Sequence, residues 1–91
     1  MKIKNSTSEK VSWFCFNHLD TFKWIALNSG NLNEEDTEKS YTPPDNIDGF
    51  YSVRFTHEGG GTELASGTVS KTGSINLIKG KEGTYEVDVT T

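Results

Sequence analysis

Several residue types are scarce in this chain. Cysteine occurs once, proline twice and alanine twice in 91 residues. A lone Cys15 excludes an intramolecular disulfide and a cysteine-cluster zinc site. No apolar run approaches the ~20 residues of a membrane-spanning helix. Basic residues are outnumbered too: 9 Lys+Arg against 13 Asp+Glu give a net charge of −4. No basic face for the phosphates of a nucleic acid is therefore expected. No apolar leader follows Met1-Lys2-Ile3-Lys4-Asn5, so a cytoplasmic or leaderless secreted chain is expected. Asn5-Ser6-Thr7 matches the glycosylation acceptor pattern, which means little without a secretory route.

What is abundant is strand-forming. Eleven threonines and ten aromatic residues favour pleated strands over helices. Short strand-like runs recur, each ended by a turn. They fall at 2–4, 11–16, 22–27, 38–41, 50–56, 62–70, 74–79 and 84–90. Phe50 to Thr56 alternates cleanly, with Tyr51, Val53 and Phe55 on one side. Gly59-Gly60-Gly61, Gly73 and Gly80 to Gly83 supply the last three turns. No stretch carries a helical apolar repeat over ten positions. The expectation is one all-β domain over 1–91: an antiparallel β-sandwich of seven to eight strands, with a C-terminal four-strand meander and no substantial helix. A small barrel is the alternative.

Two strands pose a packing problem. Val11, Trp13 and Cys15 oppose Ser12, Phe14 and Phe16, while Phe22, Trp24 and Ala26 oppose Lys23, Ile25 and Leu27. Neither strand has a polar face, so these side chains cannot all enter one thin core. Either the connection after Leu27 covers the second face with Leu32, Tyr41 and Ile47, or part of that face is open to a ligand or a second copy. Trp24 is the first candidate for an exposed aromatic. Cys15 reads as a small buried hydrophobe.

Alternating strand directions gather the connections at two ends. One end collects Asn17, His18, Asp20, Asn46 and Asp48, whose short amides and carboxylates suit sugar hydroxyls. Trp24 would add the flat surface on which a pyranose ring stacks. The same residue types are ordinary turn formers. No cofactor is expected. Calcium enters only through Asp45-Asn46-Ile47-Asp48-Gly49, which fails the EF-hand pattern at its fifth and twelfth positions (Gly49 and Thr56). His57-Glu58 and His18 with Asp20 lack metal-ligand spacing. Arg54 should pair across the sheet with Glu63 or Glu86. No nucleophile–base set survives, so an enzyme is not expected. The leading expectation is a soluble, lectin-like carbohydrate-binding module acting as a homodimer or larger homo-oligomer. A cytolysin-like protein of the membrane surface, or a structural protein-interaction domain, are the alternatives.

Overall fold

Eight strands form in chain order: β1 (Lys2–Asn5), β2 (Val11–Asp20), β3 (Lys23–Leu32), β4 (Thr37–Ser40), β5 (Phe50–His57), β6 (Glu63–Ser70), β7 (Ser74–Lys79) and β8 (Tyr85–Thr90). The computed structural model describes residues 1–20, 23–35, 37–45 and 49–90, with 18–20 and 23–25 described by backbone alone. Among these residues there is no helix. Two four-stranded sheets pack face to face, ordered β4-β1-β7-β8 and β3-β2-β5-β6. The architecture is the all-β sandwich expected from the period-two patterning.

The C-terminal strands form a meander that passes through both sheets. β5 and β6 pair antiparallel in the second sheet, and β7 and β8 do so in the first. The turn at Lys71-Thr72-Gly73 carries the chain from one sheet to the other. One pairing differs from the rest: β1 and β7 run parallel, with Ile3 opposite Ile75. Parallel neighbours need a long crossover, and residues 6–73, about three quarters of the chain, lie between these two strands.

The core is built from alternate residues of both sheets. Val11, Trp13, Cys15, Tyr51, Val53, Phe55 and Val69 face Ile3, Ile75 and Leu77 across the sandwich. Trp13 is the largest of the fully buried side chains among the described residues. Tyr41 tilts against it, ring centroids 6.2 Å apart. Leu32 and Tyr41, expected to cover a second face, thus pack on the core side instead. Ile47 lies outside the described residues.

Two strands run longer than their turn chemistry implies. β2 continues through Asn17 and His18 to Asp20, because β3 supplies partners for them: Asn17 opposite Ile25, His18 opposite Trp24, Asp20 opposite Lys23. The segment read as a loop at Asn17 to Asp20 is therefore strand. β3 likewise runs past Ser29-Gly30 to Leu32, because Ser12 and Val11 continue the ladder with Asn31 and Leu32. Pairing outweighs the local turn preference of Asn, Ser and Gly.

Gly30 is required for close approach. It lies opposite Trp13, and a Cβ there would stand 2.9 Å from Trp13 Nε1. The indole is buried and cannot retreat without opening the core. Its N–H has no hydrogen-bond partner among the described residues. Gly30→Ala is expected to destabilise the fold by about 1–3 kcal/mol through overpacking. Urea unfolding checks this, and an unchanged midpoint would show that the indole is free to move.

Candidate functional site

The outer face of the β3-β2-β5-β6 sheet carries the densest set of side chains with a binding character. Because side chains alternate across a strand, burying Trp13 and Cys15 sends Phe14 and Phe16 outward. Both are half-buried. Their cross-strand neighbours on β5 are Arg54 and Ser52, and on β3 Ser29 and Ala26. A row of aromatic surface thus lies mid-sheet, flanked by small polar groups.

Two bulges shape this face. Between Cys15 and Phe16 the register with β3 shifts by one, leaving Leu27 as the extra residue. Leu27 consequently touches the core yet also lines a surface depression. A second shift, between Phe55 and Thr56, makes Leu64 the extra residue and sets Glu63 opposite Thr56. Bulges re-aim side chains in this way. Here the result is that Glu63 Oε1 lies 2.9 Å from Arg54 Nε, the cross-sheet pair expected from the sequence. The Arg54 guanidinium also sits 5.4 Å from the centre of the Phe16 ring. Both charged side chains are about half exposed, so the ion pair itself contributes at most ~1 kcal/mol.

Three shallow depressions share Phe16. One of about 360 Å³ lies between Phe16, Ser52, Arg54, Glu63 and Ser66. A second of about 330 Å³ lies on the β3 side, against Phe14, Ala26, Asn28 and Ser29. The third, about 250 Å³, reaches Thr56 and the tip at Gly60 and Gly61. That tip needs glycine: Gly59, Gly60 and Gly61 all have φ near +100°, at 88°, 108° and 105°. The Gly59 N–H donates to Ser12 Oγ at 3.1 Å, tying the tip down over the sheet.

The residues proposed from the sequence are distributed differently. Asn17 is buried, and its Nδ2 donates to the Phe50 carbonyl at 3.3 Å. His18 and Trp24 are backbone partners in adjacent strands, one pair beyond Asn17 and Ile25. Asp20 closes the hairpin opposite Lys23. Asn46 and Asp48 lie outside the described residues. Of the loops expected to gather at one end, two touch: Lys71 Nζ donates to the Pro44 carbonyl at 3.5 Å. The sequence reading raised an open apolar face as one of two alternatives but did not place the site on Phe14 and Phe16. Phe14 and Phe16 share the parity of Ser12, and it is the pairing with β5 that sets Ser52 and Arg54 beside them.

A second cluster occupies the opposite end. Tyr85 Oη donates to Glu9 Oε2, and His57 Nδ1 lies 3.9 Å from the same oxygen. The His57 ring meets the Tyr85 ring edge-on, and Lys79 Nζ lies 5.1 Å from the centre of that ring. The Tyr85 hydrogen bond holds the Glu9 carboxyl below its usual range, with the Lys79 and His57 charges adding to it. The same bond pushes the Tyr85 phenol up to about 12. Tyr85 therefore stays protonated at neutral pH and acts as a clasp between the β1–β2 loop and the start of β8. Its raised pKa contributes stability that is complete below the ordinary tyrosine value of about 10 and is lost as pH rises through about 12. The depressed Glu9 pKa contributes stability above the ordinary carboxyl range that is lost in acid. Thermal midpoints against pH should therefore fall above about pH 10, less steeply in Tyr85→Phe. Identical alkaline arms would remove the clasp.

Burial pushes the Cys15 thiol up to about 11, consistent with a packing role. Among the described residues no three His, Cys, Asp or Glu side chains gather as metal ligands. Comparison with protein-family models, with curated proteins and with solved structures finds no match.

Proposed function

We propose that this domain is a non-catalytic carbohydrate-binding module whose ligand lies on the outer face of the β3-β2-β5-β6 sheet. The observation that carries the reading is Phe16, half-buried where three depressions adjoin, with Phe14 lining two of them and serine, threonine, asparagine and one ion pair at their edges. Apolar C–H faces of a pyranose stack on such rings, while its hydroxyls bond to the short polar groups around them. The reading moves the site away from the loop end favoured by sequence and keeps the ligand class. Weak single sites of this kind gain strength when copies pair. The β3 edge, ten residues long, is the template for such pairing.

A glycan array probed with the folded chain tests the proposal. Binding to a defined group of neutral glycans is the expected result, and an array blank for a folded sample counts against it. Mass by size-exclusion across a dilution series tests the pairing.

A second reading, a protein of the membrane surface, has one observation in its favour. Phe50 is 61% exposed on the same side of β5 as Ser52 and Arg54. Co-sedimentation with liposomes separates the two, since an aromatic that enters lipid carries the protein into the pellet without any sugar.

A further inference from the structure

We infer that the outer face binds a run of several uncharged sugar units, in preference to a single sugar or an acidic glycan. The inference rests on the carbohydrate reading above and adds the length and charge of the ligand.

Length follows from the layout of the depressions. Each is near or below the small end of the ~300–1,000 Å³ typical of small-molecule sites. All three adjoin Phe16, and together they make up a trough across the sheet. The depression on the β5–β6 side and the one on the β3 side lie on opposite flanks of that ring. Together they cross all four strands of the sheet, three spacings of ~4.8 Å, or about 14 Å. A single ring resting on Phe16 would leave both flanks in water. A chain of sugars fills them and places hydroxyls beside Asn28 and Ser29 at one side and Ser52 and Ser66 at the other.

Charge follows from Arg54 and Glu63. They are the only charged residues that line the trough among those described. They neutralise each other at 2.9 Å. An acidic sugar would bring its charge close to the Glu63 carboxylate as well as to Arg54, and would meet a chain of net charge −4. A neutral chain meets no such repulsion, and its hydroxyls bond to both groups while they remain paired.

Calorimetry on the full chain tests this with glucose, cellotriose and cellohexaose, a parallel xylose series, and trigalacturonate as the acidic arm. The affinity is expected to rise about tenfold or more from monosaccharide to trisaccharide in at least one neutral series. It should change little between about 0.05 and 0.5 M salt. Ser66→Arg, at an exposed position, fills one flank and should flatten the length dependence without unfolding the domain. Monosaccharide binding equal to hexasaccharide binding overturns the inference and leaves the carbohydrate reading standing. Tighter binding of trigalacturonate than of the neutral trimers does the same. No binding in any series, with the array also blank, overturns both.

Discussion

Phe16→Ala is expected to weaken glycan binding about 30-fold or more while the domain remains folded. The basis is position. Phe16 is the ring shared by all three depressions and the one beneath the Arg54 guanidinium. Truncating a central aromatic anchor costs about 2 kcal/mol or more of binding, and each ~1.4 kcal/mol is tenfold. Stability should fall by less than the ~3–5 kcal/mol of a fully buried phenylalanine, because Phe16 is only half-buried. Phe16→Leu separates stacking from simple apolar cover. Leucine retains most of the buried area but offers no flat ring, so it should keep the melting temperature and lose the sugar. Binding unchanged in both variants would place the ligand elsewhere on the molecule.

The largest effect on stability is expected from Asn5→Ala. Asn5 is fully buried at the end of β1. Its Nδ2 donates to the Glu9 carbonyl at 2.7 Å and to the Asn33 carbonyl at 2.9 Å. Its Oδ1 accepts from Thr7 N–H at 3.0 Å and from the Thr7 hydroxyl at 2.7 Å. All four hydrogen-bonding positions of the amide are used, and they join β1, the loop to β2 and the end of β3. Removing the amide deletes all four hydrogen bonds, at about 1 kcal/mol each, and leaves the buried Thr7 N–H without its partner. A loss of about 3–5 kcal/mol is expected, a large share of the ~5–15 kcal/mol typical of a domain. Asn5→Asp should be at least as damaging, since a carboxylate faces the Glu9 and Asn33 carbonyls with no proton to donate. Urea midpoints for the three proteins check the order. An Asp variant as stable as the parent would mean that the amide nitrogen holds nothing. The same burial removes Asn5 as a glycan acceptor in the folded chain, whatever its sequence pattern.

Much of the sandwich was legible because strand alternation is a local property. Ser74 to Lys79 is β7 to the residue, and Phe50 to Thr56 reads directly as the in-and-out pattern of β5. The pairing of Arg54 with Glu63 was visible as well, as one of two cross-sheet partners. Strand ends were less legible. The Asn17 to Asp20 and Ser29-Gly30 segments carry turn residues, and only the ladder between β2 and β3 overrides them. The candidate site was the least legible. Phe14 and Phe16 could be placed opposite Trp13 and Cys15, but nothing local says which side of β2 the other sheet will take.

The amino-acid sequence alone determined that the fold is all-β, that Tyr51, Val53 and Phe55 share one face of β5, and that Cys15 is a packing residue. Those follow from side-chain shape and period two, which act over a few residues. The tertiary structure decided the rest: the parallel match of β1 with β7, the bulges at Leu27 and Leu64, the four-bond seat of Asn5, and the half-buried row at Phe14 and Phe16. Each depends on which distant backbone fills a strand's hydrogen bonds, and that choice is made by the whole chain closing on one core.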